Sequence, residues 1–273
     1  MMAVLGAAFL HALWNSLIKV GASRMGAMVI MSIGEIPIGL AVVLALPPLD
    51  WKVAPWVIAA GCTHFFYKFF LTYAYDRGDL SRVYPIARGA APMIVTLVGL
   101  FVLSDEVTRN EYAGILVLAA GILLMARGVF SSGENRRLLP FALGSAVATA
   151  TYTMIDGMGA RISGAPVAYV AWVFVADGLI FTCGMLALRG PKVIPRNWQA
   201  WRMGALASGA SYGAYAVSVW AMTFAPIALV AALRETSILF AVLIGWLAFG
   251  ERMTKGKALA SAVIVAGVVL SRL

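Results

Sequence analysis

Ten apolar runs of about 17 to 25 residues, joined by loops of roughly a dozen residues at most, take up nearly the whole chain. A run of that length crosses the hydrocarbon of a bilayer as an α-helix, which satisfies its backbone polar groups internally. The runs cover 2–20, 27–46, 54–75, 82–103, 110–128, 139–158, 167–188, 201–223, 226–249 and 255–271. Between them lie turn and charge clusters such as Pro47-Pro48-Leu49-Asp50, Asp76-Arg77-Gly78-Asp79 and Ser131-Ser132-Gly133-Glu134-Asn135. The chain is 62% hydrophobic and 12% charged, whereas water-soluble domains carry roughly 25% charged residues. The expected fold is therefore all-α and integral to a membrane, multi-pass in the inner (plasma) membrane. The first run, Met1 to Lys19, lacks a basic start and is interrupted by His11 and Asn15, so it reads as a helix of the mature protein.

The ten runs are two sets of five. At an offset of 146 residues Ala87-Arg88 meets Leu233-Arg234, Gly99 meets Gly245, Ser104-Asp105 meets Gly250-Glu251, Thr108 meets Thr254, and Ala120-Gly121 meets Ala266-Gly267. At an offset of 138 Trp14 meets Tyr152, and Gly21-Ala22 meets Gly159-Ala160. Residues 1–128 thus form one five-helix repeat and 139–273 a second. Five is odd, so the second repeat enters the membrane inverted relative to the first. Inverted repeats suit alternating access about a site at the bilayer midplane, although duplication can also simply build a scaffold.

The net charge of +9 is a topological signal and does not point to nucleic acid. Loops after runs 1, 3, 5, 7 and 9 hold about 14 Lys and Arg, and the other loops with both termini hold about 4, which places both termini outside. Cys62 and Cys183 fall in apolar runs and offer no disulfide or metal-ligand pattern. With two histidines, no nucleophile motif and no Gly-rich phosphate loop, neither a metal, a cofactor nor an enzymatic activity is expected. No loop is long enough for a nucleotide-binding domain. The expected partners are the lipid bilayer and a small molecule, and a monomer suffices because the duplication supplies both halves.

The stretch Leu80-Ser81-Arg82-Val83-Tyr84-Pro85-Ile86-Ala87-Arg88, with Ala91-Pro92 and Asp105-Glu106-Val107-Thr108, resembles EamA-type proteins of the drug/metabolite transporter superfamily. So do His11-Ala12-Leu13-Trp14-Asn15 and Phe249-Gly250-Glu251-Arg252-Met253-Thr254 with Gly267. The resemblance covers nearly the whole chain. It implies a ten-helix, five-plus-five transporter of amino acids, metabolites or drugs. It also implies cytoplasmic termini, the reverse of the loop-charge reading.

Charged residues in hydrocarbon cost at least about 2.5–3.5 kcal/mol near a helix centre and so face an interior or a cavity. His11, Glu35, His64, Lys68, Arg88, Asp177, Arg234 and Glu235 lie near the middle of runs, and Asp156 lies nearer an end. Arg88 shares a helix face with Ser81, Tyr84 and Pro92, and its guanidinium fork suits a planar acidic group; its alternative task is to hold carbonyls or a neighbouring carboxylate. Arg234 and Glu235 are adjacent, point about 100° apart, and should reach different partners. His64 and Lys68 stand one turn apart, so either His64 is neutral or Lys68 has an acidic partner. Trp14, Asn15 and Tyr152 could grip a ligand's body or pack helices together. Glu35, Asp177 and Glu235 are candidate proton carriers or halves of ion pairs.

The expected function is secondary active transport of a small polar metabolite, an organic anion or an amino-acid-like zwitterion. Arg88, Arg234, Trp14, Tyr84, Tyr152, Lys68, His64 and Asn15 would contact the substrate. The alternative is proton-coupled export of aromatic or cationic compounds.

Overall fold

In the computed structural model, residues 2–20, 23–75, 80–131, 136–249 and 253–271 are described; of 19–20, 75, 80–86, 89, 125–131, 136, 245 and 248–249, the backbone alone. Eleven α-helices account for the architecture, and the described residues contain no strand. They are α1 (Met2–Val20), α2 (Arg24–Ala45), α3 (Ala54–Tyr75), α4 (Leu80–Val102), α5 (Arg109–Ser131), α6 (Leu139–Ser163), α7 (Pro166–Arg189), α8 (Trp198–Ala221), α9 (Ile227–Arg234), α10 (Ser237–Phe249) and α11 (Lys255–Leu270). Among the described residues, three segments, 24–45, 166–189 and 227–244, are long and apolar enough to cross a bilayer by length and composition.

The helix ends follow local sequence. Ser23 accepts from the Gly26 amide (3.1 Å), and Asn197 accepts from that of Ala200 (2.7 Å), capping α2 and α8. Thr108 and Glu111 form a reciprocal capping box at α5, the Glu111 carboxylate taking the Thr108 amide (2.7 Å). Thr254 caps α11 by accepting from the Lys257 amide (3.3 Å). Thr108 and Thr254, which match at the 146-residue offset, thus both start helices. Between α6 and α7, Gly164 adopts a left-handed φ of 63° and Pro166 opens the next helix, which makes the reversal short.

Ten continuous helices are expected from the sequence, and the ninth run departs from that. It divides at Glu235-Thr236 into α9 and α10. Across the break the amides of Glu235, Thr236, Ile238 and Leu239 bond carbonyls three residues back, in place of the usual four. Thr236 Oγ1 also donates to the Leu233 carbonyl (2.7 Å), competing with the backbone ladder. Four consecutive polar residues, Arg234-Glu235-Thr236-Ser237, inside an apolar run supply the physical cause.

Packing runs across the sequence halves. The closest partners are α3 with α6, α1 with α8, α2 with α7, α5 with α11, and α4 with α6. The α5–α11 contact rests on missing side chains: a Cβ on Gly267 would lie 2.5 Å from the Leu118 amide nitrogen, and one on Gly121 2.8 Å from that of Ile264. Small residues that let backbones approach are how membrane helices associate where lipid is as apolar as leucine. Large apolar side chains such as Leu44, Phe101 and Leu247 point outward, whereas the ionisable side chains near the centres of the runs are buried. Outward apolar and inward polar surfaces are what a lipid solvent selects.

Candidate functional site

The buried charges gather into three connected groups. In the first, Lys68 of α3 donates all three ammonium protons: to Asp177 of α7 (2.5 Å), Glu35 of α2 (2.7 Å) and Ser32 of α2 (2.8 Å). Ser211 of α8 donates to the other oxygen of Glu35 (3.0 Å). Lys68 therefore has acidic partners, two of them; three helices meet at its ammonium group, and α8 joins through Ser211 and Glu35. The second oxygen of Asp177 has no hydrogen-bond partner among the described residues.

The second group is built on Asp156 of α6. It receives Tyr169 Oη (3.0 Å) and Tyr215 Oη, and its Oδ2 lies 2.9 Å from His64 Nε2. Room for Tyr169 comes from Gly159, where a Cβ would lie 2.5 Å from the tyrosine oxygen. His64 stacks on the Tyr152 ring with centroids 4.1 Å apart.

The third group sits at the broken helix. Arg88 Nε and Nη2 bind both oxygens of Glu235 (2.9 and 2.8 Å), a bidentate pair fully removed from the surface. The break turns Glu235 toward α4, so the pairing and the broken ladder are one feature. Arg234 goes elsewhere: Nη2 reaches Thr153 Oγ1 (3.2 Å), and the guanidinium lies 5.8 and 5.9 Å from the Tyr152 and Tyr215 ring centres. Its Nε is 3.8 Å from Glu235, beyond hydrogen-bond reach.

These groups surround a cavity of about 30 Å³, the room of one water molecule. Of the residues singled out from the sequence, Trp14, His64, Lys68, Tyr152, Glu35 and Asp177 line it, together with His11. Arg88, Arg234 and Glu235 stand behind this first layer. Asn15 turns its amide to the His11 carbonyl of its own helix (2.8 Å) and does not line the cavity. The Tyr84 side chain lies outside the described residues. The sequence reading did not single out Met31, Tyr67 or Phe174 as lining residues, nor Asp156 as an organising anion. Asp156 had a detectable signal, one turn beyond Tyr152 on the same face; Met31 and Phe174 have none beyond their hydrophobicity.

Both ends of the bundle are marked. At one, Asp105 of the α4–α5 loop accepts from Arg161 Nη1 of α6 (2.6 Å) and from the Ile227 amide at the start of α9 (2.8 Å). Arg161 also donates to the Met222 and Ala225 carbonyls (2.8 and 3.0 Å). This latch ties the first half of the sequence to the second. At the opposite end of α8 lies a larger cavity, about 450 Å³, lined by Leu17, Ile18, Ala27, Asn197 and Gly204 among others. It lies about one turn along α1 from Trp14, one along α2 from Met31 and two along α8 from Ser211. Between the cavities Ser208 Oγ donates to the Met31 carbonyl (2.8 Å), where a Cβ on Gly34 would lie 2.3 Å from that oxygen.

Among the described residues no group of His, Cys, Asp and Glu is arranged to hold a metal ion. A solved structure titled "Crystal structure of protein" superposes with a TM-score of 0.75 over 100% of this chain and 99% of its own. At 20% identity it shows a shared fold only. No curated protein matches the chain. The family model for the EamA-like transporter family matches residues 137–273, which is half of the chain and includes Asp156, Asp177, Arg234 and Glu235. The helical fold with buried ionisable groups and this match together assign the chain to the EamA-like transporter family, multi-pass membrane proteins that move small molecules.

Proposed function

We propose that the protein is a secondary transporter of ten membrane spans, in which two inverted five-helix halves rock about the central charge cluster in the plasma membrane. The discontinuous α9–α10 counts as one span. The cargo is a small polar metabolite, an organic anion or an amino-acid-like zwitterion. The observation that carries this reading is the set of packing partners. Exchange α1 with α6, α2 with α7, α3 with α8, α4 with α9–α10, and α5 with α11, and the principal pairings map onto one another. The α3–α6 contact becomes α8–α1, α4–α6 becomes α9–α1 and α10–α1, and α2–α8 becomes α7–α3. The α2–α7 and α5–α11 contacts exchange with themselves. These pairings support a two-fold relation between the halves, and Lys68 bonds to both members of the self-exchanging α2–α7 pair.

A centre lined by both halves and nearly empty of volume is an occluded arrangement. The Asp105–Arg161 latch closes one end, and the Ser208–Met31 contact separates the centre from the larger cavity at the other. Breaking either set alternately would expose the centre to one side at a time. Trp14, Tyr152 and His64 then contact the cargo's body, and Lys68 its acidic group once Glu35 or Asp177 lets go. A carboxylate released from Lys68 holds a charge that a proton can neutralise, which links proton movement to cargo at Glu35 and Asp177. Arg88 and Glu235 brace α4 against α9, and Arg234 lends positive potential from behind Tyr152.

Thermal unfolding of the purified protein against matched organic anions, zwitterions and cations tests the reading. A ligand present at a hundredfold excess over its Kd adds about 2.7 kcal/mol to stability. Stabilisation by anions or zwitterions that disappears in Lys68→Gln supports it. Stabilisation by cations alone would favour export of cationic compounds with Glu35 or Asp177 as counter-charge.

A further inference from the structure

The cavity of about 450 Å³ between α1, α2, α8 and the α7–α8 loop falls in the size range of small-molecule sites, about 300–1,000 Å³, unlike the central one of about 30 Å³. Its frame is held in place. Trp201 Nε1 of α8 donates to the Pro195 carbonyl of the loop (2.9 Å), and Pro195 lies against Gly26 of α2, where a Cβ would fall 2.5 Å from the proline ring. At the floor α8 meets α2 at Gly204, where a Cβ would fall 2.3 Å from Ile30. The repeat gives the space a counterpart. At the offset of 138 residues Leu17, Ile18 and Ser23 meet Ile155, Asp156 and Arg161. Where one half places the Arg161 guanidinium, bonded to Asp105 and to the Met222 and Ala225 carbonyls, the other places the small Ser23 side chain and an open cavity.

Its lining selects for charge and for shape. Leu17, Ile18, Ala27, Val193 and Met203 supply an aliphatic wall, and neither Asp nor Glu is among the described lining residues. The charged lining residue is Lys192, which is exposed at the mouth and forms no ion pair among the described residues. Asn197 accepts from the Ala200 amide through its side-chain oxygen, which leaves its amide N–H groups to donate. Both α2 and α8 begin at this cavity, so the positive ends of two helix dipoles add to the ammonium. The loops after the first and seventh runs, two of those rich in Lys and Arg, border the mouth and raise the local concentration of anions.

We propose that this cavity is a binding site for a small organic acid with an aliphatic body, the acid group at Lys192 and Asn197 and the hydrocarbon against Leu17, Ile18 and Met203. The site is separate from the central cluster and serves as the vestibule on the basic side, about one helical turn short of Trp14 and Met31. This rests on the transporter reading above and adds a second, outer site to it. A closed floor and room for one short chain fit a water-soluble acid and not a two-chain lipid. An amine of the same length would set its charge against Lys192 and two helix N-termini. An acid without the hydrocarbon would leave the aliphatic wall uncovered.

The test uses hexanoate, hexan-1-ol, hexylamine and acetate, with affinities from concentration-dependent thermal stabilisation of the full chain in lipid nanodiscs. Hexanoate should bind about tenfold or more tightly than the alcohol and the amine, the scale of one hydrogen bond to a charged group. It should exceed acetate by at least as much, since each buried methylene adds to affinity. Lys192→Gln should bring hexanoate to within about twofold of hexan-1-ol, whereas Lys192→Arg should keep the preference. Ala200→Phe, which fills the cavity, should abolish binding of hexanoate. Equal binding of hexanoate and hexylamine, or a preference for hexanoate unchanged in Lys192→Gln, overturns the site. So does stabilisation by phosphatidylglycerol in the nanodisc with none by hexanoate, which would make the cavity a lipid site. Counterflow in liposomes separates this proposal from the reading beneath it: exchange of a cargo by a protein indifferent to hexanoate overturns the vestibule site alone, and hexanoate binding without exchange of any compound overturns the transporter reading and the vestibule role with it.

Discussion

Replacement of Lys68 by methionine removes the charge at the meeting point of α2, α3 and α7 and keeps most of the side chain's volume. The lysine is 3% exposed, and Glu35 and Asp177 are each 1% exposed. Glu35 would keep its bond from Ser211 (3.0 Å), but Asp177 would lose its hydrogen-bonded partner. Breaking a buried pair by deleting one member destabilises by about 3–5 kcal/mol, because the remaining charge is left without compensation. For a chain of this size that corresponds to a fall in Tm on the order of 10 °C. Most of the loss comes from the stranded carboxylates. The triple variant Lys68→Met/Glu35→Gln/Asp177→Asn should therefore recover at least half of it, a non-additivity that thermal unfolding of the unaltered protein, Lys68→Met, Glu35→Gln/Asp177→Asn and the triple variant in one detergent measures directly. A Lys68→Met variant within about 0.5 kcal/mol of the unaltered protein would refute the reasoning, since substitutions with no structural mechanism fall in that range. So would a triple variant as unstable as the single one.

The bidentate Arg88–Glu235 pair should show a coupling energy of about 0.5–3 kcal/mol in a double-mutant cycle of Arg88→Ala and Glu235→Ala, read by thermal unfolding. Arg88→Lys should not restore it, because an ammonium cannot engage both carboxylate oxygens as the guanidinium fork does. Gly267→Leu should destabilise by about 1–3 kcal/mol or more, since its Cβ would fall 2.5 Å from backbone of α5 and the helices must separate. Asp105→Asn weakens the latch and leaves the core alone; a cysteine in place of Ala160, with Cys62 and Cys183 replaced, should then react faster with an aqueous maleimide. Unchanged labelling would mean that the latch does not close that end.

The helices were legible in the sequence to within a few residues at most ends, because long apolar runs between Pro, Gly and charged loops leave few alternatives. The break in the ninth run was not: Glu235-Thr236-Ser237 is polar, but what makes a broken ladder tolerable is a bidentate arginine 147 residues away. The same holds for the site. The ionisable residues at span centres were evident from their cost in hydrocarbon, and the expectation that Arg234 and Glu235 take different partners matches their contacts. Their pairing was not evident, since Lys68 could have met any of several carboxylates and its two partners lie 33 and 109 residues distant. The motif threonines Thr108 and Thr254 take a local task that the sequence alignment alone did not state, capping α5 and α11.

The most direct test is counterflow in liposomes that contain this protein alone, with the compound that stabilises it best in thermal unfolding. Saturable exchange across the membrane, abolished by Lys68→Gln in a variant that is still folded and inserted, is the predicted result. Binding without exchange, or exchange indifferent to Lys68, would contradict a transporter centred on the Glu35–Lys68–Asp177 cluster.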